Sequence, residues 1–217
     1  MKKFALLLVV VMLLSLCACK QQPQETEPVY NDYPPVEKPV IYLYPEKTME
    51  VHLELDFEGV LTSTYPAYQN GWTVMAAPDG TLTDSETGRT YYCLFWEGVS
   101  SESYDLTEGF VVAGVDTAAF LEETLAQLGL TEKEANEFII YWLPRMEGNA
   151  YNLISFQTDA YTDRAQLRIT PAPDSVLRVF MTWKPLDAPV DIAPQKLEGF
   201  VREGFTVIEW GGAEIRE

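Results

Sequence analysis

Apolar and polar side chains alternate with a period of two over residues 51–58. Val51, Leu53, Leu55 and Phe57 share one face, and His52, Glu54, Asp56 and Glu58 share the other. That period predicts a strand with one buried and one wet face. Residues 40–44 and 72–77 read as further strands, and Pro78-Asp79-Gly80 and Asp84-Ser85-Glu86-Thr87-Gly88 carry turn chemistry. Residues 90–96 are apolar on both faces, which predicts a central strand covered on each side. The period then becomes helical. Ala118, Leu121, Leu125 and Leu128 form one stripe, with Asp116 or Thr117 to cap it and Gly129 to end it. Thr131 and Glu134 fit a capping box for a second helix, whose apolar face holds Ala135, Phe138, Ile139 and Trp142 and which Pro144 should stop. Strand signals resume near 152–157, 165–170, 176–183 and 205–210. Between the last two, Pro185, Pro189 and Pro194 predict an extended surface connection over 184–196. The expected fold is α+β: an antiparallel, sandwich-like β-sheet with a two-helix hairpin inserted near the middle.

The N-terminus has a different pattern. Lys2 and Lys3 precede an apolar run over residues 4–16, about 13 residues, within the ~7–15 of a signal-peptide core and short of the ~20 that span a bilayer. Leu16-Cys17-Ala18-Cys19 follows. A leucine three places before a cysteine, with a small residue just before that cysteine, resembles the lipobox of bacterial lipoproteins. The resemblance implies removal of residues 1–18 and a diacylglyceryl group on Cys19, which becomes the first mature residue. Cys17 fits less well, because bulky Leu16 would occupy the cleavage position. The alternative is an uncleaved N-terminal anchor helix. Residues 19–38 are rich in Gln, Glu and Pro and are expected to be a disordered tether. At ~3.3 Å per residue it reaches at most ~60 Å. Residues 39–217 are then a single extracytoplasmic domain, held at the cell membrane by lipid.

Composition narrows the partners. The chain of 217 residues has 33 acidic and 15 basic residues, a net charge of -18. Losing Lys2 and Lys3 with the leader takes this from -18 to -20. Such a surplus repels nucleic acid and other polyanions. At 47% hydrophobic and 12% aromatic residues, the chain has ample material for a core. Once Cys17 is removed and Cys19 acylated, Cys93 remains alone and no intramolecular disulfide is available.

A set of short motifs runs through the chain: Lys38-Pro-Val-Ile-Tyr-Leu-Tyr-Pro45, Gly71-Trp72, Pro78-Asp79-Gly80, Leu94-Phe-Trp-Glu-Gly98, Tyr141-Trp-Leu-Pro144, Val179-Phe180 and Glu209-Trp-Gly-Gly212. In this order they resemble a family of uncharacterised secreted or lipid-anchored bacterial proteins. The resemblance implies one domain and an extracytoplasmic home, and brings no catalytic residue, ligand or cofactor with it.

Candidate chemistry is sparse. His52, the only histidine, would have to serve any Ser-His-Asp triad or metal site, yet it sits on a wet strand face beside Glu54 and Asp56. No zinc-binding spacing occurs, and neither a metal nor a cofactor is expected. Cys93 lies in an apolar run, where a thiol packs as a small hydrophobe. Glu97 and Glu209 each stand beside a tryptophan and a glycine turn, the arrangement a carboxylate-based glycan hydrolase would use if their spacing allowed. Trp72, Trp96, Trp210 and Tyr68 are candidates for stacking on sugar rings, against the plainer reading that they fill the core. Asp79, Asp84 and Glu86 read as turn formers, because they do not fit a calcium loop. Arg164, Arg168 and Arg178 are expected to pair with the surrounding carboxylates, with an anionic ligand as the alternative. The leading expectation is a non-catalytic domain that binds an envelope glycan or protein. The alternatives are the hydrolase and a structural or assembly role.

Overall fold

Among the described residues, thirteen strands and three α-helices follow one another. Eight strands precede the two long helices: β1 (Pro35–Tyr44), β2 (Met49–Phe57), β3 (Val60–Tyr65), β4 (Trp72–Ala76), β5 (Leu82–Asp84), β6 (Thr90–Tyr91), β7 (Leu94–Val99) and β8 (Glu108–Ala113). Helices α1 (Thr117–Leu128) and α2 (Glu132–Met146) come next. After them run β9 (Tyr151–Gln157), a short α3 (Asp159–Thr162), β10 (Ala165–Thr170), β11 (Ser175–Leu186), β12 (Ala193–Pro194) and β13 (Thr206–Glu214). The structure, a computed structural model, describes residues 35–101 and 103–215. The expected signal peptide, Cys19 and most of the expected tether lie outside the described residues. No helix among the described residues is long and apolar enough to cross a membrane.

The strands form two sheets. One has eight strands in the order β12-β8-β9-β11-β13-β1-β7-β3, the other five in the order β10-β2-β4-β5-β6. Two cores result. Between the sheets, Val51, Leu53, Trp72 and Val74 of the smaller sheet meet Ile41, Leu94, Trp96 and Val207 of the larger. On the outer face of the larger sheet, Leu121, Leu125, Phe138 and Trp142 of the helices cover Val40, Tyr42, Ile208 and Trp210. The larger sheet is thus buried on both sides at its centre, where eight of the nine residues of β13 are buried. Burial on that scale, at ~25 cal/mol per Å2 of apolar surface, holds the layers together without a disulfide.

Local signals explain most element ends. Gly129 closes α1 in the left-handed conformation at φ 103°, and Thr131 and Glu134 form a reciprocal capping box on α2. In β2 the side chains at 51, 53 and 55 are buried and their neighbours are not.

Five expectations are corrected. First, the larger sheet is mixed: β11 lies parallel to β13 over nine residue pairs, and β12 lies parallel to β8. A parallel neighbour needs a long return path. Residues 187–205 supply it, pinned to the helices by Gln127 Nε2–H to the Leu197 carbonyl (3.2 Å) and by Arg202 to Glu134. Second, β11 continues through Pro185 to Leu186, paired with β9. Its partner on the other flank, β13, ends opposite Trp183, so Pro185 interrupts no ladder there. Third, residues 90–96 are not one strand. The chain leaves the smaller sheet at Tyr91 and enters the larger at Leu94, with Cys93 buried in the crossing. Fourth, α2 runs past Pro144 to Met146. The carbonyl that Pro144 leaves unpaired belongs to Ile140, which is 74% exposed and so open to water. Fifth, residues 35–38, expected at the end of the tether, are the start of β1. Val36 is buried at 1%, and the Lys38 N–H donates to Glu97 Oε1 at 3.2 Å.

Candidate functional site

A concavity of about 550 Å3 lies on the smaller sheet and is lined by His52, Pro66, Gln69, Trp72, Thr73, the Asp84 turn and Tyr91 among others. Strands β2 and β4 place His52 opposite Thr73, and His52 Nδ1 lies 2.9 Å from the Thr73 hydroxyl. Gly71 stands against the imidazole. A Cβ there would come within 2.6 Å of His52 Cε1, and its φ of 133° disfavours any side chain. The Asp84 turn forms a wall of the groove. Its Oδ1 accepts from the N–H groups of Glu86 (3.0 Å) and Thr87 (2.7 Å) and from the Thr87 hydroxyl (2.9 Å). These bonds hold the exposed Asp84 carboxyl below its ordinary range, the Thr87 N–H being the largest cause. Tyr91 lies at the rim, edge-on to Tyr65 with ring centroids 5.4 Å apart. Tyr65 is 52% exposed.

The aromatic candidates separate clearly. Trp96 and Trp210 have no exposed surface and cannot stack on a ligand. Trp96 fills the inter-sheet core, and Trp210 donates from Nε1 to the Tyr42 hydroxyl at 3.2 Å. Trp72 borders the groove but is 3% exposed, with its Nε1–H given to the Pro66 carbonyl at 2.9 Å. Tyr68 has a structural task. Its hydroxyl accepts from Leu55 N–H (3.0 Å) and donates to Leu55 O (3.1 Å), standing in for a strand where β4 no longer accompanies β2. The rings at the rim are Tyr65, which is accessible, and Tyr91, which is half-buried against the inter-sheet core. Sequence periodicity did not mark them, because only the chain crossing at Tyr92–Cys93 turns Tyr91 toward the groove.

Glu97 and Glu209 do not form a pair. Along β7, Leu94 and Trp96 enter the inter-sheet core while Phe95 packs on the helix side, so alternation puts Glu97 on the helix side. Along β13, Ile208 and Trp210 face the helices, so Glu209 faces the other sheet. Opposite faces of one sheet rule out a shared substrate, which removes the basis for a two-carboxylate hydrolase. Burial raises the carboxyl pKa of Glu97. Glu209 is fully buried, accepting from Arg178 Nε at 2.5 Å and Trp96 Nε1 at 3.1 Å. Arg178 lies 4.7 Å from the centroid of the Tyr161 ring, which stacks on Phe180 at 4.0 Å. Burial opposes the charge of Arg178, but the adjacent Glu209 more than offsets this and raises its pKa. The Tyr161 hydroxyl is held well above its ordinary range by burial and then by the Glu209 charge.

The other titratable candidates are also accounted for. Arg168 bonds Glu54 (3.2 Å) and Asp56 (3.3 Å) across the β2–β10 pair. Burial pushes the Cys93 thiol up to about 11. Among the described residues, no group of three His, Cys, Asp or Glu side chains gathers as a metal site. No family model matches the chain, and neither a curated protein nor a solved structure is similar to it.

Proposed function

We propose that this chain is a lipid-anchored, extracytoplasmic binding domain that holds an uncharged or amino-sugar envelope glycan in the groove between His52, Thr73, the Asp84 turn and Tyr91. The carrying observation is the composition of that groove: side chains that donate and accept hydrogen bonds along its walls and two tyrosine rings at its rim. Hydroxyl-rich ligands need such donors and acceptors, and sugar rings pack on exposed aromatic faces. Asp84 favours binding over hydrolysis, because an ionised carboxylate already accepting three hydrogen bonds is a poor proton donor and a poor base. The acidic surplus argues for a glycan without phosphate or carboxylate groups. The anchor rests on the lipobox-like Leu16-Cys17-Ala18-Cys19, and a compact α+β domain carrying a two-helix hairpin completes the reading.

The test is retention of the purified protein on envelope polysaccharide, alongside Tyr65→Ala and Tyr91→Ala. Each substitution should weaken retention ~10-fold or more, the loss of ~1.4 kcal/mol. Equal retention of both variants removes the groove from the account. Cys19→Ala should abolish lipid labelling and release the protein from membranes, and persistence of both would sink the anchor.

A further inference from the structure

Strand β11 is incompletely flanked. On one side Ser175–Trp183 is in register with β13. On the other, β9 accompanies it only from Phe180, opposite Gln157, to Leu186. The chain then turns at Thr158 into α3 and passes to the smaller sheet. Ser175, Leu177 and Val179 turn their N–H groups to β13, so the backbone groups of Val176 and Arg178 form an open edge inside the larger sheet that no strand among the described residues pairs. A cavity lies on each face of this edge. Toward the smaller sheet, a slot of about 470 Å3 has walls that include Leu167, Ile169, Val176 and Arg178. Toward the helices, one of about 320 Å3 is lined by Leu128, Phe156, Leu177, Val179 and Leu197 among others.

We propose that residues 175–179 accept an added β-strand: an extended, aliphatic, positively charged peptide segment of another protein. Such a strand would continue the line of β9. Its successive side chains point to opposite faces, so they would enter the two cavities in turn while its backbone pairs with the edge. Both cavities have apolar walls, which call for aliphatic side chains. Charge sets the rest of the chemistry. Asp159, Asp163, Asp174, Glu198 and Glu203 are exposed around the edge. Arg178 is already matched by Glu209, and Lys196 lies 3.6 Å from Glu198. An acidic rim of this kind attracts cationic flanks and repels anionic ones.

The experiment is fluorescence anisotropy of the full-length protein with a labelled, end-blocked Lys-Leu-Val-Val-Leu-Lys probe. Saturable binding is expected. It should weaken ~10-fold or more when alternate probe amides are N-methylated, when glutamates replace the lysines, or when the protein carries Val176→Glu. Val176 is 42% exposed, so that variant should fold, which a thermal melt checks. Hydrogen exchange at the Val176 and Arg178 amides, which face away from β13, should be slowed by the unmethylated probe alone and is the second readout. The proposal is overturned by absence of saturable binding, by equal binding of the N-methylated probe, or by unchanged exchange at those amides. It is also overturned by a dimer of the protein that Val176→Glu dissociates, because a second copy would then be the occupant.

Discussion

Arg178→Met is the sharpest test of how the larger sheet is built. Methionine keeps most of the apolar stem and removes the guanidinium. Glu209, with no exposed surface, is left with only the Trp96 N–H at 3.1 Å. Breaking a buried ion pair from one side costs ~3–5 kcal/mol, because the remaining charge is desolvated without compensation. For a domain of ~180 residues, where 1 kcal/mol moves the melting temperature by ~2–4 °C, the drop is ~6–20 °C. The double variant Arg178→Met with Glu209→Leu removes both charges and should recover most of that loss. Urea unfolding of wild type, both single variants and the double variant gives the coupling energy directly. Additive losses, or a single-variant loss under ~1 kcal/mol, would refute the reasoning.

Further outcomes follow from single residues. Cys93, its thiol pushed up to about 11 by burial, should resist thiol reagents at neutral pH in the native protein and react on unfolding, and rapid native labelling would contradict this. Gly212→Ala puts a Cβ 2.4 Å from the Met181 carbonyl oxygen and 2.7 Å from the Trp142 ring, for an expected loss of ~2–3 kcal/mol or failure to fold. Gly148→Ala, with nothing within 4 Å, should change stability by under ~0.5 kcal/mol, and equal effects at the two sites would deny the close packing of α2 on the sheet. Because the folded Asp84 carboxyl lies below its ordinary value, its contribution to the turn is present above the unfolded pKa and lost as pH falls through the folded one. The Thr87 amide resonance, followed by NMR, should therefore titrate with a midpoint below ~3.9, and a higher midpoint would contradict the three hydrogen bonds.

Strand and helix positions were legible wherever one face alone decides burial. The alternation of β2 and the capping box at Thr131 are both local, and both appear where the pattern puts them. Topology was not legible. The parallel register of β11 with β13 depends on where residues 187–205 travel, and no local pattern encodes that path. The break at Tyr92–Cys93 was hidden for a related reason: a chain passing between two buried sheets is apolar throughout, just as a single central strand would be. The same ambiguity governs the site. Glu97 and Glu209 each carry a neighbouring tryptophan and glycine, but which face each takes follows from the packing of Phe95, Trp96 and Trp210. Trp96 and Trp210 drew notice as large rings and serve as core, whereas Tyr91 lines the groove and Tyr65 packs edge-on to it.

The most direct measurement is an NMR titration of the isotope-labelled protein with soluble, uncharged amino-sugar oligomers. A saturable response is predicted at the amides of Gln69, Thr73, Thr87 and Tyr91, the residues that line the groove, and it should disappear in Tyr91→Ala. Shifts confined to other parts of the molecule, or none at saturating oligomer, would contradict a glycan-binding groove.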